Sequence, residues 1–228
     1  MRTCVRRFLG RIGYAEATEL QNRFARGLKD GDPEALEQLL LLEHPPVITL
    51  GRNAHEADVL LDPMALRALG VAVERTDRGG QVTYHGPAQL VGYPILALQG
   101  DRRDVARYLR DLEEVLIRTL ARFGIVAGRA PGLTGVWAGE EKIAAIGVHL
   151  SRWVTTHGFA LNVETELSHF DLIVPCGLRS RGVTSMRRIL GRTIGLEEVA
   201  AALVPEFAAV FERRIIEAPV PAALQEVH

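Results

Sequence analysis

Cys176 is one of two cysteines in this chain, and it stands in a distinctive local pattern. Pro175 stiffens the backbone before it, Gly177 frees the peptide after it, and Arg179 and Arg181 would favour a thiolate. The thiolate is the reactive form of cysteine, so the pattern is compatible with a nucleophile. A free cysteine is more often a small buried hydrophobic residue, however, and the local residues alone leave an inert Cys176 open.

Lys142 stands out because lysine is rare in this chain. The 27 basic residues include only two lysines, Lys29 and Lys142, and the others are arginines. Arginine gives up its proton too reluctantly for acid–base work, whereas a lysine in a shaped site can exchange one. A drift in composition that left two lysines by accident explains the same count.

A polar segment rich in glycine covers residues 78–87. Its glycines allow a close approach of backbone to a ligand, and its arginine, tyrosine and histidine supply hydrogen-bond donors. It lacks the Gly-Lys-Ser/Thr ending of a phosphate-binding loop. A Gly-Gly hairpin with a polar rim fits the pattern as well as a binding loop does. The candidate binding residues are Arg78, Gly79, Gly80, Gln81, Val82, Thr83, Tyr84 and His85.

Residues 142–163 predict a β-hairpin with small side chains on one face. A two-residue turn at Ser151-Arg152 would place Ala145 opposite Gly158, Ile143 opposite Ala160 and Gly147 opposite Thr156. The small residues would then form the floor of a groove that a ligand or another chain can approach. Ser-Arg is poor turn chemistry, so a shifted register stays open, and tight packing of a helix explains the small residues equally well.

The elements that must position these residues alternate between helix and strand. Apolar periodicity predicts helices at 17–28, 35–41, 63–69, 105–120 and 195–213. Strands are predicted at 47–50, 71–75, 90–98, 125–128, 135–138, 142–150 and 153–163, mostly antiparallel where they follow closely. The fold class is therefore α+β: one domain over residues 1–218 with a mixed, mainly antiparallel sheet flanked by helices, and a loosely ordered tail at 219–228.

Bulk composition excludes several classes of protein. The net charge of −1 provides no general attraction for nucleic acid, and no apolar stretch approaches the length of a membrane span or of an export signal. The two cysteines have no CxxC spacing and the histidines no HExxH spacing, so we expect no metal site and a reducing cytoplasm. His149 and His157 are expected to be structural.

Taken together, the motifs resemble the octanoyltransferase family of lipoate biosynthesis, which shares the biotin and lipoate protein ligase fold. The resemblance covers roughly residues 12–215, and Ala88 stands where the family has glycine, which should subtly reshape a loop. The matching runs are Glu43-His44-Pro45-Pro46 with Thr49-Leu50-Gly51, an RGGxxTYH signature at 78–85, Lys142-Ile143-Ala144, and Pro175-Cys176-Gly177.

The resemblance implies an acyl transfer in two steps. Cys176 would take the octanoyl group from octanoyl-acyl carrier protein as a thioester, and the lysine of a lipoyl domain would then take it as an amide. Lys142 would lower the pKa of the thiol and shuttle protons. The acyl chain would contact residues 78–85 together with Ala145, Ile146, Gly147, Gly158, Phe159 and Ala160, and the small-residue patch would limit its length.

The resemblance also implies the partners and the alternatives. The acceptors would be lipoyl domains of 2-oxoacid dehydrogenase E2 subunits and the glycine cleavage H protein, and the chain would act as a monomer without ATP, metal or cofactor. Three alternatives are an ATP-dependent lipoate–protein ligase, a cysteine hydrolase that uses Cys176 with His85, and a noncatalytic docking module in which Cys176 is inert.

Overall fold

A computed structural model describes residues 1–174 and 181–219 of this chain. Its strands are β1 (Arg2–Arg11), β2 (Glu37–Glu43), β3 (Val47–Leu50), β4 (Ala72–Arg75), β5 (Val82–His85), β6 (Gln89–Ile95), β7 (Gly128–Ala130), β8 (Leu133–Ala138), β9 (Glu141–Ser151), β10 (Val154–Asn162) and β11 (Arg213–Glu217). Its α-helices are α1 (Tyr14–Asp30), α2 (Pro63–Ala68), α3 (Val105–Arg122), α4 (Met186–Leu190) and α5 (Leu196–Phe211). The predicted tail at 219–228 lies, from residue 220 onward, outside the described residues.

Two sheets organise the described part of the chain. The larger has the strand order β11-β1-β2-β6-β10-β9-β8-β7, and the smaller has the order β4-β3-β5. Among these strands the pairs β1–β11, β1–β2 and β3–β4 are parallel, and the others are antiparallel. The predicted α+β class with a mixed, mainly antiparallel sheet is confirmed, and the small sheet is an addition to it. No helix among the described residues combines the length and apolarity needed to cross a lipid bilayer.

Strand β2 shows how the large sheet is covered on both faces. Leu39 and Leu41 pack into the core with helices α3 and α5, whereas Leu40 and Leu42 pack into a second core with helix α1. A continuous apolar run is typical of a strand that is buried on both faces. The helix predicted at 35–41 is therefore wrong, because a short run of leucines satisfies a buried strand as well as a helix.

Strands β1 and β11 were also missed, because their composition is that of a charged surface. The arginines of β1 are matched by acidic side chains of neighbouring strands: Arg6 contacts Glu217 at 2.8 Å and Arg11 contacts Glu43 at 3.0 Å. The helix predicted at 195–213 ends at Phe211, and the strand predicted at 125–128 is wrong, since β7 begins at Gly128.

A buried ion pair joins the first and last parts of the chain. Glu37, at the start of β2, contacts Nε of Arg213 in β11 at 2.6 Å, and both residues are buried. The same carboxylate accepts a hydrogen bond from Arg2 at 3.0 Å and another from the backbone N–H of Ala97 at 3.0 Å. Because several donors surround it, the charge of Glu37 is compensated inside the sheet.

Ala88, in the loop between β5 and β6, has a backbone φ of +58°, in the left-handed region that favours glycine. Its N–H donates to Glu43 at 2.6 Å and its carbonyl accepts from the N–H of Glu164 at 3.0 Å, so the loop is held in this conformation. We expect Ala88→Gly to raise the free energy of unfolding by about 1 kcal/mol, because the steric cost of the methyl group exceeds the added chain entropy. A melting experiment should show a Tm higher by about 2 to 4 °C.

Ala121→Gly is the matched control for this prediction. Ala121 is exposed in helix α3, where glycine costs roughly 1 kcal/mol relative to alanine. The two substitutions should therefore shift Tm in opposite directions, and a lower Tm for both would contradict the role assigned to φ at Ala88.

Candidate active site

An open cavity of about 880 Å³ lies between strands β9 and β10 of the large sheet and the segment 78–85 that leads into the small sheet. Its walls contain most of the predicted site residues: Arg78, Gly80, Gln81, Val82, Thr83, His85, Lys142, Ala145, Ile146, Gly147, Gly158, Phe159 and Ala160. Sequence segments far apart in the chain are thus brought to one place.

Two of the predicted binding residues lie outside the cavity lining. Tyr84 is buried in the core of the small sheet, where its ring stacks on His169 with centroids 5.0 Å apart. Gly79 donates its backbone N–H to the carbonyl of Val148 at 2.8 Å and so ties its loop to β9. Both residues support the wall from behind, and their predicted contact with a substrate stays a prediction.

The hairpin of β9 and β10 has a register different from the predicted one. Its turn is Arg152-Trp153, with φ of +51° and +60°, and it pairs Ala145 with Ala160 and Gly147 with Gly158. Positive φ at both central residues is typical of a type I′ turn, which suits the twist of a hairpin. Because the pairing is shifted by two residues and side chains alternate with a period of two, the small residues stay on one face.

The two glycines of this patch make room for the protein's own backbone. A Cβ atom on Gly158 would lie 2.2 Å from the carbonyl oxygen of Gly92 in β6, and one on Gly147 would lie 2.9 Å from the carbonyl oxygen of Gly79. These contacts explain why glycine is needed at both positions; both also line the cavity, so their predicted contact with an acyl chain stays a prediction. A side chain added at Gly158 would disrupt the sheet, so alanines 145 and 160 are left as the small side chains that shape the cavity.

Arg78 is a buried arginine that fixes the loop over the cavity. Its guanidinium donates to the carbonyl of Thr49 at 2.7 Å and to the Thr49 hydroxyl at 2.8 Å. Thr49 is the third residue of β3, so the side chain of Arg78 attaches its own loop to the small sheet. Gly51 permits this packing, since a Cβ atom there would lie 2.4 Å from the carbonyl oxygen of Gly80.

Two histidines beside the cavity are uncharged at neutral pH. Burial lowers the pKa of His85 to about 3, with a smaller contribution from the nearby His44, and burial lowers the pKa of His44 to about 4. The Nδ1–H of His85 donates to Gln89 at 2.8 Å, and His44 contacts the Tyr93 hydroxyl at 2.8 Å. This end of the cavity is therefore compatible with an apolar chain, and His85 is too weak a base to activate a thiol at neutral pH.

Lys142 is the second residue of β9 and contributes to the cavity wall. Its Nζ lies 5.0 Å from the ring centroid of Trp137, and Arg181 covers the same ring at 5.5 Å. Its backbone N–H donates to the carbonyl of Gly182, and its carbonyl accepts from the N–H of Thr184, both at 3.0 Å. Residues 182–184 are thereby held beside Lys142.

Cys176 itself lies outside the described residues, together with Arg179. The chain on each side of that segment reaches the cavity: Ile173 and Val183 both line it. Ile173 forms an isolated bridge to Val59, and Val183 forms one to Lys142. The predicted pairing of Cys176 with Lys142 therefore stays a prediction, with both flanks of its segment at the site.

Sequence reasoning missed several residues of the cavity wall. His157, expected to be structural, lines the cavity and contacts Asp77 at 2.7 Å, which lowers the pKa of that carboxyl to about 2. Asn162 was overlooked, although asparagine is depleted in strands and its position at the end of a buried one was a usable signal. The other missed wall residues are Tyr14, Gln89, Tyr93, Phe170, Ile173 and Val183.

Comparison with known proteins agrees with this geometry. Residues 13–208 match the family model described as the lipoyl protein ligase A/B catalytic domain. The chain is 57% identical over 212 residues to an octanoyltransferase of Solibacter usitatus, covering 93% of this chain and 94% of the relative. It is 51% identical to an octanoyltransferase of Chloroflexus aggregans, covering 96% and 99% of the two chains. A solved lipoate-protein ligase A bound with ATP has the same fold, with a TM-score of 0.77 at 19% identity, over 99% of this chain and 92% of that chain.

Proposed function

This chain belongs to the octanoyltransferase family, and from that membership we propose that it transfers an octanoyl group from octanoyl-acyl carrier protein to a lysine of a lipoyl domain. The observation that carries the proposal is the position of Lys142 in the cavity wall, bonded through its backbone to residues 182 and 184. The acceptors we propose are the lipoyl domains of 2-oxoacid dehydrogenase E2 subunits and the glycine cleavage H protein. The setting we propose is the cytoplasm, where a catalytic thiol stays reduced, with the chain acting as a monomer.

In the first step the thiolate of Cys176 attacks the carbonyl carbon of the donor thioester. A new C–S bond forms, the bond to the carrier's sulfur breaks, and the ammonium of Lys142 protonates the departing thiolate. In the second step the acceptor amine attacks the same carbon, an amide bond forms and Cys176 leaves as a thiolate. The proton lost by the amine returns to Lys142, so the enzyme ends as it began.

The principal alternatives differ in what they require. An ATP-dependent ligase would need no cysteine, and the ATP-bound ligase shares only the fold at 19% identity, whereas the two octanoyltransferases named above are 57% and 51% identical. A hydrolase that used His85 as its base would need an imidazole of higher pKa than about 3. Both observations favour transfer to lysine from a donor that is already activated.

The decisive test is to incubate the protein with octanoyl-acyl carrier protein and an apo lipoyl domain, without ATP, and to measure the intact mass of all three. We expect the lipoyl domain to gain one octanoyl group. A gain that requires ATP would identify a ligase, and loss of octanoate to water without a gain would identify a hydrolase.

Chain length offers a separate test of where the acyl group lies. Ala145 is half-buried in the cavity wall, opposite Ala160. Each buried methylene is worth about 0.8 kcal/mol and overpacking typically costs about 1 to 3 kcal/mol, so Ala145→Val should cancel the binding of a few methylenes. We expect kcat/KM to fall most for dodecanoyl, less for octanoyl and least for butyryl carrier substrates.

The matched control for this series is Ala72→Val, on exposed strand β4 and outside the cavity lining. It should leave the ratio of the three kcat/KM values unchanged. An equal fractional loss for all three substrates with Ala145→Val would place the acyl chain elsewhere.

A further inference from the structure

A chain of buried hydrogen bonds crosses from the cavity wall to the residues that hold Lys142. Asn162, the last residue of β10, is 4% exposed and lines the cavity. Its Oδ1 accepts from Nε2 of Gln89 at 2.9 Å, and its Nδ2 donates to the carbonyl of Thr184 at 3.0 Å. Gln89 in turn accepts the Nδ1–H of His85 at 2.8 Å. The polar atoms of the Asn162 carboxamide are thus satisfied from both sides.

The bond from Asn162 to Thr184 holds the segment 182–184 from a second side. Thr184 donates its N–H to the carbonyl of Lys142, and Lys142 donates its own N–H to the carbonyl of Gly182. The segment 182–184 is therefore held on one side by strand β9 and on the other by the side chain of Asn162. Val183, which lies between the two bonded residues Gly182 and Thr184, lines the cavity.

The side-chain chemistry at this position is specific. A buried amide with no partners would cost on the order of 1 to 3 kcal/mol, so an asparagine here is tolerated only because Gln89 and Thr184 satisfy it. Any residue that lacks a donor at this point leaves the Thr184 carbonyl without its side-chain partner. The segment would then keep its backbone bonds to strand β9 but lose its bond to the end of strand β10.

We propose that Asn162 is a positioning residue for acyl transfer: through Thr184 it fixes the backbone of Lys142 against residues 182–184. This inference rests on the proposed function, since it assumes that Lys142 acts on the thiol of Cys176. Asn162 acts through Lys142 and takes no part in bond making itself.

Asn162→Asp is the informative variant, because it keeps the size and the acceptor for Gln89 but removes the donor to Thr184. We expect kcat for octanoyl transfer to fall about 10- to 100-fold with KM within about twofold, since a small misplacement of a catalytic group has effects of this order. Cys176 reactivity provides a readout that needs no acyl donor. The midpoint of the pH profile for its alkylation by iodoacetamide should rise by about one pH unit as the influence of Lys142 weakens.

Two control variants separate positioning from stability and charge. Thr119→Ala removes a buried hydroxyl in helix α3, outside the cavity lining, and tests the effect of lost stability alone. Its alkylation midpoint should equal that of wild type. Asn162→Leu removes the donor to Thr184 without adding a negative charge, and its midpoint should rise as in Asn162→Asp; a rise in Asn162→Asp alone would be an effect of charge and would overturn the positioning role. All assays are run at a temperature where each variant is folded.

The proposal is overturned if the alkylation midpoint of Asn162→Asp equals that of wild type, or if its kcat stays within twofold. A wild-type protein that transfers no octanoyl group refutes the proposed function instead. One that transfers the group but alkylates at an ordinary thiol midpoint near pH 8.5 leaves that function standing and overturns the inference, because Lys142 then does not act on the thiol. The two failures are therefore distinguished by the wild-type measurements.

Discussion

Cys176→Ala is expected to lower octanoyl transfer by about four orders of magnitude or more, because removal of a covalent nucleophile eliminates both halves of the reaction. The measurement is the initial rate of octanoylation of a lipoyl domain, with intact mass used to detect any acyl-enzyme. The wild-type protein, mixed with the donor alone, should gain one octanoyl group, and the variant should gain none.

Cys4→Ala is the control that makes this result specific. Cys4 is fully buried in strand β1, and burial, reinforced by the nearby negative charge of Glu37, raises the pKa of its thiol far above the ordinary value. It therefore supplies no thiolate at neutral pH, and Cys4→Ala should keep the acyl-enzyme and most of the transfer rate. An octanoyl group trapped on Cys4, or full activity in Cys176→Ala, would refute the assignment of the nucleophile.

Lys142→Arg is expected to be nearly as damaging as Lys142→Ala, each lowering kcat by about 10²- to 10⁴-fold. Arginine keeps the positive charge but does not release its proton, so charge without proton transfer should not support turnover. The measurement is kcat for both variants under conditions where thermal melts show that they are folded.

Lys29→Arg makes the same chemical change in the last turn of helix α1, outside the cavity lining, and should behave as wild type. If Lys142→Arg kept near-native turnover while Lys142→Ala did not, Lys142 would be an electrostatic partner of the thiolate and not a proton shuttle.

The sequence predicted which motifs line the cavity better than it predicted the elements between them. The residue types of a motif, such as glycine, histidine and lysine, already indicate what it can do chemically. The run from Leu39 to Leu42 shows only that it is apolar, and an apolar run fits a helix as well as a buried strand. The arginines of β1 likewise resemble a solvated surface until the acidic residues of the adjacent strands are known. In both cases the deciding contacts are made by residues distant in sequence.

In the site, too, local patterns were predictable from the sequence, whereas contacts between distant segments were not. The small-residue patch was predicted on one face and is found there, because an even shift in register preserves the face. What Gly147 and Gly158 accommodate could not be predicted, since it depends on where β6 and the loop at Gly79 pass. The positioning role of Asn162 could not be predicted either, because it depends on a hydrogen bond to Thr184 that only the structure shows.

The pairing of β1 with β11 means that this sheet is completed, during synthesis on the ribosome, only long after its first strand has been made. Glu37 and Arg213 are 176 residues apart in sequence, yet they meet in one buried contact. Until the C-terminal strand emerges, the outer edge of β1 is unpaired and the carboxylate of Glu37 lacks its buried partner. Until residues 213–217 have been made, a nascent chain therefore carries β1 without its parallel partner, a period in which a chaperone that binds exposed strands would protect it from aggregation.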